Sequence, residues 1–210
     1  MASGKTISLK ATVFIPTYNG DKYLKDLLNA VYAQDFPFSY EVSVIDSGST
    51  DSTLEILKEF PEVNLHQIPN SEFGHGKTRN LAAKMSKAEF MVYLSQDAVP
   101  AHPKWLSGMI EPFSISDKVF CVFGKQTPRT FCDITTKREI NSVFRNLGPD
   151  HSLMLHRATM VSEDFPIEPA LNFMSDVNSA VRRDYLINKI PYRDVRYAED
   201  QLLGSDALKT

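Results

Sequence analysis

Five apolar residues in a row, Phe90-Met91-Val92-Tyr93-Leu94, end abruptly at the polar Ser95-Gln96-Asp97-Ala98. A run of that length without a polar interruption reads as a buried strand. Strands buried on both faces belong to parallel sheets covered by helices. In an open sheet of that kind, ligands bind just beyond the carboxyl ends of the strands. Asp97 therefore stands where a carboxylate reaches a metal ion or a substrate. Taken alone it reads equally as a cap before Pro100, so the other strand ends decide.

The segments before Phe90 repeat the same rhythm. Ala11 to Ile15 is a short strand stopped by Pro16, and Tyr23, Leu24, Leu27, Leu28 and Val31 then recur at helical spacing. Glu41 to Ile45 is a second strand, and Ser52 with Glu55 fits a capping box opening a helix to about Phe60. Val63 to Gln67 is a third strand, followed by a glycine-containing loop and a helix near Lys77 to Met85. Alternating strands and helices predict a mostly parallel sheet with helices on both faces. Beyond Pro100 the pattern changes to a helix from Pro103, a strand at Phe120 to Phe123 and a helix at Thr136 to Leu147. Gly148 to Phe173 reads as loop with at most short strands; a strand at Asn178 to Val181 and a helix from about Glu199 close the chain. Without repeat or linker, 1–210 is expected to be one domain: a nucleotide-binding half over about 10–100 and an acceptor half over about 101–210, shortened at its carboxyl end.

A net charge of -3 gives no general attraction to nucleic acid or anionic membranes. Cys121 and Cys132 are the two cysteines, which implies no disulfide framework and points to a reducing, cytoplasmic setting. No apolar run approaches the roughly 20 residues that span a bilayer.

Asp46 follows the second strand as Asp97 follows the fourth. Ser49, Thr50 and Asp51 suffice to cap the next helix, which frees Asp46 to accept the ring N–H of a pyrimidine base. Pro16-Thr17-Tyr18-Asn19 would shape the other wall of that pocket, with Tyr18 alternatively a packing residue. Gly74-His75-Gly76-Lys77-Thr78-Arg79-Asn80 opens a helix where Arg79 can present a fork of donors to phosphate. It is also a near miss of the phosphate loop of nucleoside triphosphatases, with Ser71 in place of a glycine, and it reads as a solvated helix start as well. Glu199-Asp200 opens the last helix, where acids favour the dipole, and Asp176 and Asn178 belong to a polar cluster able to line a pocket.

Taken in order, these segments resemble the inverting nucleotide-sugar glycosyltransferases of family 2, which have the GT-A fold. The resemblance is carried by Val13 to Gly20, Val44 to Asp51, Gly76 to Asn80 and Ser95 to Ala98, and the last of these with Tyr192 to Gln201 is similar to the rhamnosyltransferase branch. It implies a nucleotide held by Pro16, Thr17, Tyr18, Asn19, Asp46, Ser49, Arg79 and Gln96, and Mg²⁺ or Mn²⁺ at Asp97, with Ser95 where relatives usually carry another acid. It further implies Asp200 as the base, with Asp176, Asn178 and Glu199 facing the acceptor. The expected reaction moves a sugar, L-rhamnose from dTDP-rhamnose, to a saccharide or lipid-linked acceptor with inversion, in cell-surface polysaccharide synthesis. Peripheral contact with the inner membrane face is compatible with such an acceptor. A non-catalytic nucleotide-sugar-binding module and a triphosphatase are the alternatives.

Overall fold

The computed structural model describes residues 8–149, 152–156 and 173–209. Its strands are β1 (Ala11–Thr17), β2 (Tyr40–Asp46), β3 (Asn64–Gln67), β4 (Phe90–Leu94), β5 (Cys121–Phe123) and β6 (Asn178–Arg182). Its helices are α1 (Asp21–Tyr32), α2 (Thr53–Lys58), α3 (His75–Met85), α4 (Trp105–Ile110), α5 (Ile134–Asn146), α6 (Arg183–Asn188) and α7 (Glu199–Leu208). The strands form one sheet in the order β3-β2-β1-β4-β6-β5. The first four are mutually parallel, and β6 runs antiparallel to both β4 and β5. The mostly parallel sheet expected from the alternation is present, with an antiparallel insertion from the second half.

Side chains alternate across the pleat, so β1 and β4 each feed two cores. Val13, Ile15, Phe90, Val92 and Leu94 pack with Leu24, Leu27, Leu28 and Val31 of α1 and with α4 on one face. Phe14, Met91 and Tyr93 pack with Ala82 and Ala83 of α3, Leu186 of α6 and Leu203 of α7 on the other. Each fully buried aliphatic side chain of α1 contributes roughly 1.5–3 kcal/mol, which fixes the helix against the sheet. Tyr23 does not join that stripe; it stays half-exposed at the start of α1.

Three local expectations are corrected. β1 does not stop at Pro16 but continues to Thr17, with Pro16 in register with Ile45. Pairing with β4 has already ended at Phe14, so the missing N–H falls where β1 has a free side. The Ser52–Glu55 capping box is absent; Asp51 Oδ1 accepts the Thr53 N–H at 2.9 Å instead. A helix, α6, follows β6 directly at Arg183–Asn188, where the sequence suggested no element. Most of the Gly148 to Phe173 loop lies outside the described residues.

Candidate active site

The carboxyl ends of β1 and β2 carry loops that are stitched together by side chains. Asn19, at φ 48 in the left-handed region that Asn tolerates, accepts the Thr50 N–H on its side-chain Oδ1, 2.8 Å away. The Asn19 N–H donates to Ser49 Oγ, the Gly20 N–H to Thr53 Oγ1 and the Asp21 N–H to Asp51 Oδ2. Beneath them lies Asp46, with no solvent exposure. Its Oδ1 accepts the hydroxyls of Thr17 and Ser49, and its Oδ2 accepts the N–H groups of Gly48 and Ser49. A carboxylate offers about four lone-pair sites, and all four are taken.

Asp46 and Thr17, expected to read a base, are here engaged with the protein's own groups. They build the loop on which a base would rest. What this edge does offer to a ligand is Tyr18, 48% exposed, together with Asn19 and Ser49. Asp46→Asn would turn an NH₂ group toward one of these donor pairs. The expected cost is about 1–3 kcal/mol of folding stability for buried groups left unsatisfied, read as a lower midpoint in urea.

Gln96 closes the β1–β4 gap. Its Oε1 accepts the Tyr18 N–H at 2.9 Å and its Nε2 donates to the Tyr18 carbonyl at 3.1 Å, so one amide extends the ladder that the main chains no longer make. A Cβ on Gly20 would lie 2.5 Å from that same Oε1 and would push the Gln96 amide off Tyr18. Gln96 thus orients Tyr18 and the turn of Asp97. The Asp97 carboxylate itself is exposed and has no protein donor among the described residues.

Arg79 lies at the heart of the opposite face, 7% exposed. Its Nη1 bonds Glu199 Oε1 at 2.5 Å, and its Nε lies 3.1 Å from Asp176 Oδ2, off the N–H line. Its ring neighbours are Tyr93 and Tyr192. Burial opposes the Arg79 charge, but Asp176, Tyr192 and Glu199 outweigh it and raise its pKa above the ordinary value. Burial pushes the Asp176 carboxyl above the carboxylate range, with Arg79 and the Ser179 hydroxyl pulling it back only in part. Burial, reinforced by Asp176, also holds the phenols of Tyr93 and Tyr192 well above 10.0.

Four residues expected in the site are engaged by the protein itself in this geometry. Arg79, expected to present a fork to phosphate, is buried between two carboxylates, with Glu199 bonded to Nη1 and Asp176 beside Nε. Asp176 and Glu199, 2% and 6% exposed, face Arg79 rather than an acceptor. The Asn178 side-chain oxygen accepts the Trp105 indole N–H at 2.8 Å. Nor does the amino end of α3 form a phosphate cradle. Asn80 clamps the main chain of Tyr192 in both directions, and a Cβ on Gly76 would collide with the Arg193 carbonyl. The Gly76-Arg79-Asn80 pattern docks the segment that leads to Asp200.

Asp200 is half-buried at the start of α7, after Ala198 in the left-handed region at φ 61. A non-glycine residue held there costs of order 1–3 kcal/mol, and such outliers cluster at functional sites. Asp200 Oδ2 accepts the Asp176 N–H at 3.3 Å, and the Ser95 N–H donates to the Val177 carbonyl at 3.2 Å. Two hydrogen bonds thus tie the turn carrying Asp97 to Asp200, 103 positions later by subtraction of their numbers.

The profile of glycosyl transferase family 2 matches residues 12–188. The chain belongs to that family. Family 2 relatives include the poly(ribitol-phosphate) beta-N-acetylglucosaminyltransferase TarS of Staphylococcus aureus strain Mu50. It is 39% identical over 93 residues, covering 42% of this chain and 16% of that protein. The O-antigen chain rhamnosyltransferase RfbN of Salmonella typhimurium strain LT2 is 34% identical over 121 residues, 57% of this chain and 38% of that one. The chain spans well under two thirds of either relative. Among solved structures, residues 1–349 of S. aureus TarS in complex with UDP-GlcNAc match with a TM-score of 0.69 and 25% identity, covering 95% of this chain and 53% of that one. The mannosyltransferase PcManGT from Pyrobaculum calidifontis, solved with GDP-Man and Mn²⁺, matches with a TM-score of 0.68 at 20% identity, covering 96% and 52%. The fold is that of the GT-A glycosyltransferases.

No group of three or more His, Cys, Asp or Glu residues able to hold a metal ion occurs among the described residues. One exposed carboxylate at a strand end nevertheless fits Mg²⁺ or Mn²⁺, since Mg²⁺ in phosphate sites is commonly held by one or two carboxylates plus substrate phosphates. No helix among the described residues is long and apolar enough to cross a membrane.

Proposed function

We propose that the chain is the donor-binding and catalytic domain of an inverting glycosyltransferase, transferring L-rhamnose from dTDP-rhamnose to a saccharide or lipid-linked acceptor in cell-surface polysaccharide synthesis. The observation that carries this reading is the coupling of an unpartnered carboxylate, Asp97, to a second, half-buried one, Asp200, at one edge of the sheet. The similarity to RfbN supports the rhamnosyl choice. A cytoplasmic site of action, in peripheral contact with the membrane that carries a lipid-linked acceptor, completes the proposal.

In this reading the base packs on Tyr18 while Asn19 and Ser49 border it. Asp97 would hold Mg²⁺ or Mn²⁺, which when bound neutralises charge on the departing diphosphate. Asp200 takes the proton of the acceptor hydroxyl as its oxygen attacks the anomeric carbon and the bond to the diphosphate breaks. The chain is expected to release dTDP from dTDP-rhamnose faster than UDP from UDP-GlcNAc when acceptor is supplied. Binding of donor without release in any acceptor mixture would mark a binding module, and preference for ATP would sink the reading altogether.

Asp97→Asn is expected to leave the fold intact, because its carboxylate makes no contact that the fold uses. Calorimetry with dTDP should then show the same affinity in Mn²⁺ and in chelator, whereas the unaltered chain binds more tightly in Mn²⁺. A chain that binds equally in both conditions before mutation has no ion at Asp97.

A further inference from the structure

With Arg79 consumed inside the protein, the diphosphate pocket lacks the cation that the sequence assigned to it. The segment after β5 supplies another. β5 is antiparallel to β6 and β6 to β4, so β5 ends at the same edge of the sheet as β4. From there the chain crosses that edge instead of turning away. The Gly124 N–H donates to the Asn178 carbonyl at 2.9 Å, and the Gln126 side-chain amide donates to Ser175 Oγ at 2.8 Å. Arg129 Nη2 then reaches the main-chain carbonyl of Asp97 at 2.5 Å. Its guanidinium also sits 3.9 Å from the centroid of the Tyr23 ring, at the start of α1. A strap thus runs from the far edge strand, over β6 and the end of β4, to the helix that follows β1.

Arg129 is half-buried and has no carboxylate partner among the described residues. Charges held partly away from water are ordinarily paired. Of its five donors, one goes to the Asp97 carbonyl, and stacking on Tyr23 fixes the plane of the rest beside the Asp97 turn. A planar fork fixed in this way is suited to phosphate oxygens. Tyr23 is the aromatic residue of the α1 stripe that stays out of the core, and a ring platform for Arg129 explains its placement.

We propose that Arg129 is the donor-site cation, contacting the diphosphate of the bound nucleotide directly, and that the Gly124–Arg129 strap exists to place it there. This deepens the transferase reading and rests on it. Titration calorimetry of the chain and of Arg129→Met and Arg129→Lys, in Mn²⁺, uses dTDP and, by displacement, thymidine as probes. Arg129→Met keeps a long unbranched side chain beside Tyr23 while removing the guanidinium that stacks on it, and circular dichroism checks the fold of each variant. The expected result is a Kd for dTDP raised about 10- to 100-fold in Arg129→Met, the range of a lost hydrogen bond to a charged group. Arg129→Lys should lose less, and thymidine affinity should not change. Unchanged dTDP affinity in Arg129→Met overturns the proposal, as does an equal loss for dTDP and thymidine, which would mean a purely structural strap. Failure of the unaltered chain to bind dTDP would instead overturn the transferase reading beneath it.

Discussion

Asp200→Asn is expected to lower sugar transfer by about 10²–10⁴-fold, the usual effect of removing a positioned base, while leaving the fold in place. The side chain is half-buried, and an amide of the same shape can still accept the Gln201 N–H that now bonds Oδ1 at 2.8 Å, giving up the longer 3.3 Å bond from the Asp176 N–H. What it loses is the ability to take the acceptor proton. Donor affinity should change by less than about threefold, or about 0.7 kcal/mol, because the base faces the acceptor and not the diphosphate. Nucleoside diphosphate release measured beside calorimetry separates the two effects. Glu199→Gln is the informative neighbour. If Glu199 only decorated the helix start the change would be mild, but its carboxylate is the hydrogen-bonded partner of buried Arg79. Glu199→Gln should therefore lower stability as well as transfer. Transfer surviving in Asp200→Asn would remove the base from this position.

The sheet was legible because its strands are unusually plain. Phe90 to Leu94 and Val42 to Ile45 are apolar at nearly every position, which suits burial on both faces, and the α1 stripe placed Leu24, Leu27, Leu28 and Val31 in the core. The exposed place of Asp97 just beyond β4 was legible for the same reason, as the acid that follows a buried run. The internal partners of Asp46 and Arg79 were not. Their chemistry is equally good for a ligand or for the protein, and only the tertiary neighbours decide. Four donors converge on Asp46 from two loops, and the two carboxylates that engage Arg79 come from 97 and 120 positions away by subtraction. Arg129 left no sequence signal beyond its place after Pro128, because its significance lies in a crossing over the sheet edge that no local periodicity encodes. Asn80 and Gly76 were seen as a helix start, and the chain segment they receive lies more than a hundred positions later.

Arg79→Met is expected to be strongly destabilising, at about 3–5 kcal/mol, the cost of leaving a buried partner charge uncompensated. Two carboxylates, Asp176 and Glu199, lose their counter-ion at once, and neither has the exposure to recover it from water. The loss has a pH signature. Burial already holds the Asp176 pKa above its unfolded value, with Arg79 pulling it down in part. Removing Arg79 raises it further. A carboxyl whose folded pKa is raised favours the folded state below the unfolded value, about 3.9, and loses that contribution as pH climbs through the folded pKa. Arg79→Met should therefore fall further behind the unaltered chain as pH rises above the ordinary carboxylate value, as read from urea midpoints. Adding Asp176→Asn and Glu199→Gln removes both stranded charges and should restore much of the stability. Transfer should stay low in that triple variant, because Asp200 is placed by the Asp176 main chain and by the start of α7 that Glu199 anchors. An Arg79→Met protein as stable as the unaltered chain at pH 7.5 would show that the buried ion pairs do not hold α3 to α7, and full transfer in the triple variant would show that they do not position the base.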